Sequence, residues 1–292
     1  MSWLVVQLCP TTTGREVGPP PRPLPEVAGR AIIGGRISRS TSMRFTSLVI
    51  GLLVFLLQCT CGPTSRAQTA PTEVDIELVL ALDISFSMDI EELELQREGY
   101  ARAFRSAEVK RAIAGGQLGR IAVTIFDWAA YGDQRISIPW TLLDTPASID
   151  AFADLIDAIP IRRASRTSIS GAIDFGVALL QGNRFKGIRV VMDISGDGPN
   201  NSGRSVTEAR DEALAKGITI NGLPILLKRG GMGGIEDLDE YYKTNVIGGP
   251  RAFMVQIRSR EEFIPVIRTK LLLEIANFLP PEWPHRVAHQ FE

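Results

Sequence analysis

Val74-Asp75-Ile76-Glu77-Leu78-Val79-Leu80-Ala81-Leu82-Asp83-Ile84-Ser85-Phe86-Ser87 is the stretch from which the fold follows. From Val74 to Leu82 it is a β-rich run ending in uninterrupted apolar residues, the composition of a strand covered on both faces. Asp83, Ser85 and Ser87 come next, at alternate positions of an extended segment, so three oxygen donors project to one side. Ligands of open α/β sheets bind in the crevice beyond the carboxyl ends of the strands, which is where this D-x-S-x-S pattern stands.

Working outward, β-rich runs alternate with helical periods, the signature of a mainly parallel sheet wrapped by helices. Further strands are expected at Ile121 to Phe126, Ile136 to Trp140, Ile188 to Ile194, Ile218 to Ile225 and Ala252 to Gln256. The run at Ile136 follows its predecessor closely across Tyr131-Gly132-Asp133, which predicts an antiparallel edge hairpin. Helices are expected after Asp89, with Ile90, Leu93, Tyr100 and Phe104 on one face, after Thr145 through Phe152 to Ile159, and after Thr167. Two more are expected at Ser205 to Lys216 and Glu261 to Phe278. Asp89 with Glu92 reads as a capping box that starts the first helix.

The strand-end argument predicts more donors at the ends of other strands. Asp193-Ile194-Ser195-Gly196-Asp197-Gly198 places a carboxylate, Asp197, in the loop after a central strand, and Thr167 stands just before a helix. Asp83, Ser85, Ser87, Thr167 and Asp197 are all hard oxygen donors without histidine or cysteine, a set that selects Mg²⁺, or Mn²⁺, over zinc or copper. With three of the donors neutral hydroxyls, an anionic group from outside is a natural further ligand.

The order Asp83-x-Ser85-x-Ser87, Thr167, then Asp197-Gly198 resembles the von Willebrand factor A domain and its metal-ion-dependent adhesion site, over roughly Val74 to Phe278. The resemblance implies a three-layer, Rossmann-like α/β fold with a mostly parallel sheet and one antiparallel edge strand. It implies a module for binding proteins, in which a partner's Asp or Glu completes the metal shell. Together with the leader described below, it points to secreted bacterial members of unknown function, of the DUF1194 kind. One departure is the loop Arg162-Arg163-Ala164-Ser165-Arg166, where relatives often carry glycines. Arg162, Arg163 and Arg166 are either partner-binding residues that favour an acidic ligand or a solvated basic loop.

Nearby acids have plainer readings: Asp193 as a hydrogen-bonded structural acid inside its strand, Asp127 as a turn residue after the second strand. The run Gly230-Gly231-Met232-Gly233-Gly234 lacks the Lys and Ser/Thr of a phosphate loop and reads as a connector.

The beginning of the chain is of another kind. Residues 1–42 contain a Pro-rich stretch and no apolar period, and read as a disordered or mis-assigned extension, with translation expected to start at Met43. Residues 43–67 have a basic start, an apolar run from Leu48 to Leu57 and small residues at Ser65 and Ala67, the layout of a secretory signal cleaved after Ala67. About ten apolar residues are too few to span a bilayer core. A periplasmic or secreted protein is therefore expected, with a lipoprotein anchored through Cys59 or Cys61 as the alternative. A linker over 68–73, a domain over 74–279 and a tail over 280–292 follow. Cys9, Cys59 and Cys61 all precede the cleavage point, so the mature chain needs no disulfide.

The 292 residues carry 32 basic and 33 acidic groups, a balance with no field to recruit nucleic acid. A phosphoryl-transfer hydrolase with Asp83 as nucleophile is the enzymatic rival, but such enzymes place a second carboxylate where this chain has Ser85. A serine hydrolase is disfavoured because His285 and His289 lie beyond Pro280-Pro281 and no G-x-S-x-G elbow occurs. A third reading is a structural module in which the cation only staples loops, with no partner. The expectation is a non-enzymatic metal-dependent binding module.

Overall fold

The computed structural model describes residues 70–227 and 237–276. The proposed leader, the three cysteines, the Gly230–Gly234 run and the tail with its histidines lie outside those residues. Contacts divide the chain after Ala67, and all that is described belongs to the unit Gln68–Glu292.

Five strands, β1 (Thr72–Asp83), β2 (Ile121–Trp128), β3 (Gln134–Leu143), β4 (Phe185–Gly196) and β5 (Thr219–Pro224), form one sheet in the order β3-β2-β1-β4-β5. Every pairing is parallel except β2 with β3, the antiparallel edge expected from the short Tyr131–Asp133 connection. Gly132 turns that hairpin at φ 83°, a conformation side chains resist. Pro139 is tolerated in β3 because an edge strand leaves one row of backbone groups unpaired.

β1 is the central strand and its alternation builds both halves of the core. Leu78, Leu80 and Leu82 pack into one cluster, while Val79 and Ala81 pack into the other. Each fully buried leucine contributes about 1.5–3 kcal/mol. The first face is covered by α1 (Ile90–Arg105), α2 (Ala107–Ala114), α3 (Pro146–Asp157) and α7 (Phe263–Ala276), through residues such as Tyr100, Val109, Phe152 and Ile267. The second is covered by α4 (Ile169–Gln181), α5 (Val206–Leu214) and α6 (Leu238–Tyr241), which runs on into a π-helical segment, Tyr242–Val246. This is the expected three-layer arrangement.

Local signals set the boundaries. The Asp89 capping box forms, with Glu92 N–H donating to Asp89 at 2.9 Å and Asp89 N–H to Glu92 at 2.8 Å. Ile90 does not join the buried face; it is 55% exposed in the first turn, and Gln96 and Arg97 are buried instead. Helix α2, absent from the sequence reading, starts because Ser106 ends α1 and caps the next helix. The expected strand at Ala252 to Gln256 is reduced to isolated bridges, Gly222 with Met254 and Ile225 with Ile257. Pro224 has no N–H to donate, and the Asn221 side chain takes the Phe253 N–H at 3.0 Å, so no regular ladder extends.

Candidate metal centre

The end of β1 and the end of β4 are neighbours in the sheet, so the fold itself brings Asp83 and Asp197 together. Asp83 is fully buried, and its Oδ1 accepts the Ser85 N–H at 2.7 Å, which curls the D-x-S-x-S segment over the strand end. The Ser85 and Ser87 hydroxyls lie 2.7 Å apart, and Ser87 Oγ donates to Asp197 Oδ1 at 2.5 Å. Four of the five expected donors thus form a continuous run of hydrogen bonds across the loops after β1 and β4.

Thr167 completes the set from a third loop. It is buried, and the space above Gly198, next to Asp197, opens towards its Oγ1 at 3.8 Å. Ser168, not Thr167, caps α4, accepting the Gly171 N–H at 3.1 Å. That division frees the Thr167 hydroxyl. Asn201 fixes the residue from both sides: its Oδ1 accepts the Thr167 N–H at 2.9 Å and its own N–H donates to the Thr167 carbonyl at 2.8 Å. The arginine-bearing loop therefore does not displace Thr167. Instead Arg166 takes φ 69°, the left-handed conformation a glycine would adopt without cost.

The three loop arginines divide. Arg162 pairs with Asp133 at 2.7 Å. Arg163 donates to the Phe86 carbonyl at 2.6 Å and lies 5.4 Å from the centre of the Phe86 ring, strapping the loop that carries the serines. Arg166 is exposed. Phe86 is 59% exposed and Tyr131 64%, an apolar element on a charged rim.

Asp127 corrects the sequence reading. It lies inside β2 rather than in a turn, is buried, and pairs with Arg97 of α1 at 2.8 Å. Asp193 is the structural acid it was expected to be, accepting from Tyr100 Oη at 3.0 Å and paired with Lys270 at 2.6 Å.

The donor set fits a hard cation on the molecule's own terms. Burial first, and then the neighbouring Asp197 carboxylate, push the Asp83 carboxyl up to about 8, and the hydrogen bonds from Ser85 offset this only in part. Asp83 Oδ2 is buried with no hydrogen-bond partner among the described residues. A divalent ion satisfies such an oxygen and lets both carboxylates stay charged. The set of three hydroxyls and two carboxylates contains no nitrogen or sulfur donor, the chemistry of a hard-cation site.

Two residues beside the site were missed by sequence reasoning. Trp128, at the end of β2 opposite Asp83, and Tyr242, at the start of the π segment, are both fully buried against it. Trp128 reads as an ordinary strand aromatic, and Tyr242 follows a glycine-rich stretch without helical period, so neither carried a signal.

The model of the family described as "Protein of unknown function (DUF1194)" matches residues 73–279. No curated protein matches the chain. Among solved structures it is similar to the pilus adhesin SpaC from Lactobacillus rhamnosus GG, at 12% identity over 71% of this chain and 31% of that one, with a TM-score of 0.52. It is similar to a von Willebrand factor type A protein from Catenulispora acidiphila, at 14% identity over 70% of this chain and 43% of that one, with a TM-score of 0.51. Proximal thread matrix protein 1 from the mussel byssus is 15% identical over 69% of this chain and 48% of that one, with a TM-score of 0.49. The chain thus spans less than half the length of these proteins, and the first two likenesses show that it has the von Willebrand factor A fold.

Proposed function

The chain belongs to the DUF1194 family, and on that premise we propose that it is an exported von Willebrand factor A-like module that holds Mg²⁺ or Mn²⁺ and, through the ion, an acidic side chain of a partner protein. Asp83, Ser85, Ser87, Thr167 and Asp197 hold the ion. The observation that carries the reading is the fully buried Asp83, whose Oδ2 has no hydrogen-bond partner among the described residues, beside the half-buried Asp197 and the hydroxyls of Ser85 and Ser87. A fully buried carboxylate beside a second acid holds its charge best when a cation joins it. An ion so bound has fewer anionic ligands than its preference for hard oxygen invites, and a partner carboxylate is the fitting addition.

The likeness to a pilus adhesin supports the binding role by analogy alone. We read the module as non-enzymatic, because Ser85 occupies the position a second catalytic carboxylate takes in metal-dependent phosphatases. Export rests on the leader layout over residues 43–67. Among the described residues no helix is long and apolar enough to cross a membrane.

Calorimetric titration with Mg²⁺ and Mn²⁺, joined to a pull-down from the native envelope with and without chelator, tests the proposal. Partner recovery is expected to vanish with chelator and in Asp83→Ala. Equal recovery in both arms refutes metal-bridged recognition. Saturable metal binding with no cation-dependent partner leaves the stapled structural module standing instead.

A further inference from the structure

The strand ends around Gly196 hold an arrangement that the five donors do not explain. A Cβ placed on Gly196 would lie 2.8 Å from Asp83 Oδ2, 3.0 Å from Tyr242 Oη and 3.3 Å from Trp128 Cζ2. Gly196 is therefore the residue that lets these three side chains converge. Asp83 Oδ2, Tyr242 Oη and Trp128 Nε1 are each buried with no hydrogen-bond partner among the described residues. The two oxygens lie less than about 6 Å apart, within reach of one bridging water. One buried polar atom without a partner costs about 1–3 kcal/mol, so a phenylalanine at position 242 would serve the core better than this tyrosine. Asp83 Oδ2 and Tyr242 Oη share the space beside Gly196, with the Trp128 ring at its edge.

We propose that Tyr242, with Trp128 beside it, is a positioning residue of the metal centre: its phenol O–H holds Asp83 Oδ2, through a water at the Gly196 Hα, and thereby orients the Asp83 carboxylate towards the ion. The inference rests on the metal-binding reading above. It gives the π segment a purpose. Its first residue, Tyr242, stands behind the site, and the Tyr241 hydroxyl just before it accepts the Asn200 N–H at 3.2 Å in the loop after β4. One short element thus braces both the acid at the end of β1 and the loop that carries Asp197.

The test is Mg²⁺ and Mn²⁺ titration of the full chain and of Tyr242→Phe, with thermal unfolding of both in chelator. Loss of a side chain that orients a metal ligand typically weakens affinity about 10–100-fold. That weakening is expected in Tyr242→Phe, while its metal-free Tm stays level or rises because no direct hydrogen bond to another described residue is lost with the hydroxyl. The wild type is also expected to show a tyrosine absorbance difference on adding metal that Tyr242→Phe lacks. Unchanged metal affinity in Tyr242→Phe overturns the inference and leaves the metal site intact. A fall in metal-free Tm with affinity preserved makes Tyr242 a packing residue and overturns it equally. A wild type that binds neither ion overturns the metal reading and this inference with it.

Discussion

Strand β4 and the loop after it deliver two acids, the buried Asp193 and the half-buried Asp197, to two clusters of different make-up. Asp193 meets Glu274 of α7, and the cluster contains its own cation: Lys270 lies 2.6 Å from Asp193 and also bonds Glu274. Tyr100 and Asn221 donate the remaining hydrogen bonds. Asp197 meets Asp83, and serine hydroxyls and backbone amides are among the groups joined to them. Burial, followed by Asp193, pushes Glu274 up to about 7 despite the lysine, while burial and Asp197 push Asp83 up to about 8. A pair of buried carboxylates given a lysine is a structural joint between sheet and helix. Asp83 takes its described hydrogen bonds from neutral donors and keeps Oδ2 open to a cation.

The sharpest way to break this contrast is to remove the lysine. Lys270→Met keeps the stem that packs in the core and leaves two acids in the interior with no ammonium. Taking one partner from a buried ion pair costs about 3–5 kcal/mol. For a domain of this size that corresponds to a fall in Tm on the order of 10 °C, read by thermal unfolding at pH 7. A loss below about 1 kcal/mol would show that Lys270 is not what holds the two acids, and the comparison would fail.

The converse change removes an acid from the other cluster. The Asp83 carboxyl has a folded value of about 8 against 3.8 unfolded, so its contribution to stability is fully present below about pH 4 and is lost as pH rises towards 8. Metal-free wild type should therefore weaken over that window, and Asp83→Asn should weaken less, keeping only the loss that Glu274 contributes as pH rises towards 7. At pH 8 in chelator the variant is expected to unfold on the order of 5 °C higher. With metal the order reverses: an ion at a hundred times its dissociation constant stabilises the wild type by about 2.7 kcal/mol, and Asp83→Asn gains nothing. A variant stabilised by Mg²⁺ as strongly as the wild type would remove Asp83 from the site.

Much of this was legible in the chain because it rests on local rules. The run from Val74 to Leu82 could only be a doubly covered strand, and strand-end placement then directed attention to Asp83, Ser85, Ser87, Thr167 and Asp197, which the fold gathers. What escaped depends on partners distant in sequence. Asp127 reads as a turn acid until Arg97, 30 residues earlier, reaches it from α1. Lys270 reads as a helix-surface lysine until Asp193 is found beneath it. The expected sixth strand failed for a chemical reason present in the sequence but weightless there: Pro224 cannot donate to a neighbour, and Asn221 takes the N–H a ladder would have used.

The smallest effect separates the two clusters by strain. Arginine occupies the left-handed region at two positions, Arg166 with φ 69° beside Thr167, and Arg251 with φ 61° at the cleft that Glu274 lines. A left-handed L-residue costs about 1–2 kcal/mol, whereas glycine adds back about 0.4–1 kcal/mol through the freedom of its unfolded chain. The first effect wins narrowly, so Arg166→Gly is expected to raise metal-free stability by about 0.5–1 kcal/mol. Arg251→Gly should gain less, because Arg251 makes contacts of its own that glycine gives up. The distinction lies in the second readout. Thr167 is held by Asn201 whatever precedes it, so Arg166→Gly should leave Mg²⁺ affinity within about twofold. If the same variant weakens capture of an acidic partner, the strain at Arg166 is tolerated for recognition. If Arg251→Gly weakens it as much, the left-handed arginine at the metal centre has no special bearing on the partner, and the two clusters are alike in this respect.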